Sequence, residues 1–291
     1  MRHIVISTLL LCSFLASPTR PDGFLTSRYS GTVVAVAFDK DRIIVAADSR
    51  ELQDPDPPFD KACKIVPLSN QMFFASLGFQ SGADQTNTRR TFGSDLAHKA
   101  FDQFKSMPNT DSRTEKVAER WGDLMRRPIQ DYVDHHPYFP GLGQDAAYGV
   151  FGSASGGEFF IYTESIYYPD PPRIPLLSPH PQVWADDVPQ PLTGKEGDEF
   201  SLGPASQEVD EFFERKTQRA VAANVKFDNA VRDAKQNREK PDVLAMKMKI
   251  SIETAEKWDQ ITIGGDVDVL ELERNGSLKW IYVKQQCKTQ Y

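Results

Sequence analysis

Residues 31–64 constrain this chain more than any other stretch. Gly31-Thr32-Val33-Val34-Ala35-Val36-Ala37-Phe38 runs into a polar corner, Asp39-Lys40-Asp41-Arg42. The chain then continues as Ile43-Ile44-Val45-Ala46-Ala47-Asp48-Ser49-Arg50 and reaches Cys63-Lys64-Ile65-Val66. Two β-branched runs around a short polar turn predict a hairpin followed by a loop. Neither run alternates cleanly between apolar and polar residues. That pattern belongs to strands covered on both faces, not to a sheet with one wet side.

The rest of the chain must supply that cover. At 291 residues with 40% hydrophobic content, it can bury one large core or two small ones. Residues 71–78 predict a third main strand ending at Gly78. Asp84 to Lys105 carries Leu96, Ala97, Ala100, Phe101 and Phe104 at helical spacing. Thr114 to His135 carries Val117, Ala118, Trp121, Leu124 and Met125, with Pro128 predicting a kink or break. Ala146–Gly152 and Glu158–Glu164 predict a second hairpin around Ser153-Ala154-Ser155-Gly156-Gly157. Eight prolines crowd residues 165–200, which read as an extended surface insert, either passive or walling a cleft. Helices follow from Val209 to about Asn237 and from Asp242 to Trp258. Two strands, 266–272 and Leu278–Val283, close the chain. Two sheets face to face with helices outside satisfy this order, an α+β arrangement.

The stretch around Thr32 resembles the β-type subunits of the proteasome, members of the N-terminal nucleophile (Ntn) hydrolases. The matching residues are Gly31-Thr32, Ala46-Ala47-Asp48-Ser49-Arg50 and Lys64-Ile65, in ungapped register, with the family's oxyanion-hole glycine falling on Gly78. The resemblance implies a four-layer αββα sandwich over residues 32–291, a single domain apart from the insert. It implies a hydrolase of peptide or other amide bonds that cuts itself between Gly31 and Thr32. Glu51, Ala62 and Ser76 fall at substrate-pocket positions. Asp259 and Thr262 keep a three-residue spacing that the family has before its Gly-Gly, here with Ile263 inserted. Phe200-Ser201-Leu202-Gly203-Pro204-Ala205-Ser206 resembles the family's Gly-Ser-Gly turn, but Pro204 stands where a supporting serine is expected.

The chemistry of such a site follows from elementary acidities. A threonine hydroxyl is a poor nucleophile at neutral pH and needs a base. A free α-amine titrates near pH ~7.7–8.0, so a mature N-terminal threonine carries nucleophile and base on one residue. Lys64 would place a cation beside the hydroxyl, and Asp48 would hold that cation in place. Gly78 would offer a backbone N–H to the oxyanion, and Gly31 an unobstructed carbonyl to the self-cleavage step. On the plainer reading, Asp48 and Lys64 are an ordinary ion pair and Thr32 is an ordinary strand residue. The Pro204 mismatch motivates a catalytically inactive relative that serves as a structural or binding module. A hydrolase of small amides would share the nucleophile and differ in substrate.

Residues 1–19 read as a secretory signal: Arg2, an apolar run from Ile4 to Ala16 too short to span a bilayer, then Ala16-Ser17-Pro18-Thr19. Cys12 after Leu9-Leu10-Leu11 hints at a lipoprotein box, against which the bulky Leu11 argues. Residues 20–31 read as a short propeptide. This predicts a secreted or periplasmic protein. No ATPase partner is expected there, and peptides or unfolded proteins are the substrates; an oligomer of identical chains is allowed. Formal charge is −7, and −9 once residues 1–31 are gone, so no nucleic-acid footprint is expected. Asp134-His135-His136 has no further spaced His or Cys cluster and reads as a polar helix end; no metal or cofactor is implied. Cys63 and Cys287 remain after the leader. Export would let them pair, and two free buried thiols fit equally well.

Overall fold

The computed structural model describes residues 27–30, 33–50, 52–54, 62–83, 90–135, 145–167, 184–186, 188–203, 206–258 and 263–288. In chain order the first half holds β1 (Ser27–Ser30), β2 (Val34–Phe38), β3 (Arg42–Ala47), β4 (Leu52–Asp54), β5 (Ile65–Ser69), β6 (Met72–Ala83) and β7 (Arg90–Phe92). Helices α1 (Gly93–Phe104) and α2 (Asp111–His135) come next, then β8 (Asp145–Ser155), β9 (Glu158–Tyr167), β10 (Trp184–Ala185), β11 (Gln190–Pro191) and β12 (Glu199–Leu202). The chain ends with α3 (Ser206–Glu214), α4 (Gln218–Gln236), α5 (Val243–Trp258), β13 (Asp268–Glu273), β14 (Leu278–Tyr282) and α6 (Gln285–Lys288).

The strands form two antiparallel sheets, an α+β fold. The larger runs β10-β9-β8-β6-β1-β4, with β5 and β7 also on β6 and β11 on β9. The smaller runs β12-β2-β3-β13-β14.

Burial explains why β2 is apolar on every residue and β3 on every residue after Arg42. Val34, Val36, Ile43, Val45 and Ala47 meet Phe73, Ala75, Val150 and Ile161 of the larger sheet. Their neighbours Ala35, Ala37, Ile44 and Ala46 meet Val209 of α3 and Ala245, Met248, Ile252 and Ala255 of α5. Successive residues of a strand point to opposite faces, so each needs its own apolar partner. The larger sheet is covered in the same way. Phe74, Phe151 and Val66 pack with Ala97 and Ala100 of α1 and with Val117, Trp121, Met125 and Ile129 of α2.

Several elements differ from the sequence expectation. The first helix begins at Gly93, because β6 runs on to Ala83 and β7 pairs back onto it through Ser81↔Phe92. Helix α2 runs from Asp111 to His135 through Pro128. A helical proline costs about 3 kcal/mol. Burial of Trp121, Met125 and Ile129 on both sides of it, at ~1.5–3 kcal/mol each, exceeds that cost. The second hairpin turns on Gly156 and Gly157 alone (φ 63° and 83°), since both central residues of such a turn need positive φ. The helical stretch after Val209 is split at Arg215 (φ 54°), and Thr217 caps α4 by accepting the Ala220 N–H at 3.2 Å. The Pro-rich segment is not wholly irregular. β9 extends to Tyr167, β10 and β11 lie along β9, and β12 joins the smaller sheet on β2. Pro191 sits at such an edge, where its missing N–H costs nothing.

The predicted signal segment, Cys12 and His136 lie outside the described residues. Among the described residues no helix is long and apolar enough to cross a membrane.

Candidate functional site

Register builds the site. Leu202, Val34, Ala47 and Asp268 form one row across the smaller sheet. One residue further along lie Val33 and Asp48, where β2 and β3 reach the same edge. Asp48 is 1% exposed and accepts four hydrogen bonds. Val33 N–H (3.3 Å) and Lys64 Nζ (3.0 Å) donate to its Oδ1. Arg50 N–H and Gly264 N–H, both at 3.2 Å, donate to its Oδ2. A carboxylate with four donors, one of them a cation, has all its acceptor capacity used.

Lys64 is fully buried, so Asp48 is the anion that makes its burial tolerable. Its backbone is set by β5 and β6: Ser76 N–H donates to Lys64 O at 3.0 Å, and the Ser76 hydroxyl approaches the same oxygen at 3.4 Å. Ala62, also buried, donates its N–H to Ser49 O at 3.0 Å. The fold therefore gathers Asp48, Lys64, Ala62 and Ser76 at one place.

Gly78 lies in β6 at φ +73°, opposite Ala147 on one side and Ser30 on the other. A Cβ there would stand 2.5 Å from Ala146 O, so only glycine fits. Thr32, Gly31, Glu51, Pro204, Asp259 and Thr262 lie outside the described residues. Both chain neighbours of the Gly31-Thr32 pair are described: Ser30 opposite Gly78, and Val33 with its N–H on Asp48.

Four features go beyond the sequence reading. First, β1, within the predicted propeptide, is a strand wedged between β6 and β4. Its sequence, Ser-Arg-Tyr-Ser, carries no apolar pattern that could have announced it. Second, Gly264 lies against Arg50, where a Cβ would come within 2.3 Å of the guanidinium carbon, while Arg50 Nη1 donates to Ile263 O at 3.0 Å. The Gly264-Gly265 pair was the available signal. Third, Cys63 and Cys287 are disulfide-bonded, resolving what the sequence left open. Fourth, Lys284 Nζ lies 2.5 Å from Asp268 Oδ2 with both side chains buried. That contact is electrostatic, without the alignment of a hydrogen bond. Burial pushes the Asp268 carboxyl up, and Lys284 opposes the push.

A cavity of about 820 Å³ between α5 and β14 is lined in part by Lys249, Asp266, Trp280 and Lys284, and neither Asp48 nor Lys64 is among its lining residues. Among the described residues, no cluster of three or more His, Cys, Asp or Glu could hold a metal ion.

No protein-family profile matches the chain, and no curated protein matches it. The functional reading therefore rests on the residues and their geometry.

Proposed function

We propose that this chain is an Ntn-type threonine hydrolase of the four-layer αββα class, self-processed between Gly31 and Thr32 and acting on peptide bonds. One observation carries the reading. The backbone on either side of the Gly31-Thr32 pair is anchored at the two groups the chemistry requires, Ser30 at Gly78 and Val33 at the Asp48–Lys64 pair. Helices cover the outer faces of two sheets that pack on each other, which supports the layered class.

In the proposed maturation, Thr32 Oγ attacks the Gly31 carbonyl carbon. An O–C bond forms, the C–N bond breaks, and the amine nitrogen takes the hydroxyl proton. Water then hydrolyses the ester, leaving a carboxylate on Gly31 and a free amine on Thr32. In turnover that amine is the base, the hydroxyl attacks the substrate carbonyl, and the acyl ester is released by water. Lys64 lowers the cost of alkoxide character on Thr32, Asp48 fixes Lys64, and the Gly78 N–H is the proposed oxyanion donor. Asp259 and Thr262 are proposed to orient the amine. Glu51, Ala62 and Ser76 are proposed to line the side-chain pocket.

A strand-shaped gap between β4 and β6, filled by β1, favours an extended peptide over a small amide as substrate. The disulfide favours the exported reading, because such bonds persist in oxidising compartments. The second reading, an inactive binding module, rests on Pro204.

Mass spectrometry of the purified full chain separates the two. An N-terminus at Thr32, lost in Thr32→Ala along with hydrolysis of peptide reporters, supports the enzyme. An intact peptide spanning Gly31-Thr32 in the wild type overturns it.

A further inference from the structure

Cys63 immediately precedes Lys64, and its disulfide partner lies 224 residues away in the last helix of the chain. That helix is itself anchored. Cys287 N–H donates to Lys284 O at 3.0 Å, and Lys284 N–H donates to Asp268 Oδ1 at 3.0 Å. Lys284 is held by a second contact, its ammonium against the other oxygen of Asp268, with side chains 3% and 1% exposed. Asp268 in turn sits opposite Ala47, the residue before Asp48. The contacts close a ring: Asp48, Ala47, Asp268, Lys284, Cys287, Cys63, Lys64 and back to Asp48.

The ring contains two buried Asp–Lys pairs, and only one belongs to the proposed chemistry. A buried ion pair is a weak source of stability, because desolvating both charges offsets their attraction; its best-attested use is to fix one arrangement over others. The Lys284–Asp268 pair fixes the start of α6, and the disulfide carries that fixed point to the backbone beside Lys64. On its other side Lys64 runs into β5, with hydrogen bonds to β6 and to Asp48.

We propose that Lys284, Asp268, Cys287 and Cys63 form a C-terminal clasp that positions Lys64, and that opening its disulfide weakens catalysis while the sheets stay folded. The effect on catalysis rests on the function proposed above; the effect on Lys64 does not. Opening requires a dithiol reductant. It supplies two electrons and two protons, becomes a disulfide itself, and leaves Cys63 and Cys287 as thiols. Cys63 is half-buried and Cys287 buried, so the reductant approaches from the Cys63 side.

The test compares the full chain oxidised, reduced with dithiothreitol and alkylated, and as the Cys63→Ser/Cys287→Ser variant. The first readout is acylation of Lys64 by acetic anhydride, measured by peptide mass spectrometry on Thr32→Ala protein. Lys64 should pass from protected to reactive by at least about tenfold, while Lys247, paired with Glu199, keeps its reactivity. The second readout is peptide hydrolysis, where kcat should fall about 10- to 100-fold with KM nearly unchanged, the scale of a catalytic group misplaced by an ångström. Equal Lys64 labelling in all forms overturns the clasp, whether or not the protein is a hydrolase. Loss of far-UV circular dichroism on reduction also overturns it, in favour of a plain stabilising cross-link. An oxidised wild type without turnover overturns the enzyme reading alone, and Lys64 labelling then decides the clasp.

Discussion

Asp48 and Gly264 stand 216 residues apart in sequence and are joined by a 3.2 Å hydrogen bond from the glycine N–H to Oδ2. This bond ties the end of β3 to the loop before β13. It leaves Oδ1 for Lys64 and Val33. Replacing Asp48 by Asn keeps the size and removes the charge. Two of the four donors then meet an NH2 group that cannot accept, and the fully buried Lys64 loses its anion. Removing one partner of a buried pair costs about 3–5 kcal/mol. Urea denaturation of Asp48→Asn should show a loss of that size; an unchanged midpoint would contradict the burial of the pair.

Gly264→Ala should be milder. The added methyl group would meet the guanidinium of Arg50, which must swing away and give up its hydrogen bond to Ile263 O. The Gly264 N–H survives the substitution, so the Asp48 carboxylate keeps its four donors. The expected loss is one hydrogen bond, about 0.5–1.5 kcal/mol, clearly below that of Asp48→Asn in the same titration.

At Gly78 the obstacle is backbone, which cannot swing away. A Cβ there would stand 2.5 Å from Ala146 O in the neighbouring strand, on a residue at φ +73°. Left-handed strain alone costs about 1–3 kcal/mol, and the clash with a ladder carbonyl adds to it. Gly78→Ala should lower the thermal midpoint more than alanine at Gly157, a turn glycine with no heavy atom near its missing Cβ. On the proposed function, Gly78→Ala should also leave the Gly31-Thr32 bond uncut.

Glu164 gives the fold a pH dependence. Its side chain is 1% exposed on β9 and faces α2 at Gly122, the residue whose missing Cβ makes room for the carboxyl. Burial, and after it the charges of Asp186, Glu119 and Asp123, push its pKa from 4.5 up to about 9. A carboxyl raised on folding contributes its full stability below the unfolded value and loses it as pH climbs through the folded one. Wild-type stability should therefore fall between about pH 4.5 and pH 9 relative to Glu164→Gln, which has nothing to ionise there. Urea midpoints at pH 5, 7 and 9 check this. Parallel curves for the two proteins would mean that Glu164 reaches solvent.

Much of this arrangement could be read in the sequence, for identifiable reasons. β2 and β3 were legible because strands buried on both faces lose their polar alternation. α5 was read from Asp242 to Trp258, and the structure shows Asp242 capping it by accepting the Ala245 N–H at 3.1 Å. Asp48 and Lys64 could be singled out together because a motif fixes their spacing. What escaped was decided at longer range. β10 and β11 are two-residue edge pieces with no pattern of their own. Pro128 stays helical because its neighbours are buried against a sheet, which a local rule cannot anticipate. The Cys63–Cys287 bond depends on where a loop and a distant helix meet. Ser27–Ser30 becomes a strand because two others leave a place for it.

That place has a consequence of its own. Among the described pairings β4 touches the larger sheet only through β1. Were the leader severed and allowed to drift off, β4 would forfeit its moorings. On the proposed function, the cut end would linger as the first inhibitor of the enzyme it had just armed, and its departure would leave a vacant berth for the next extended peptide.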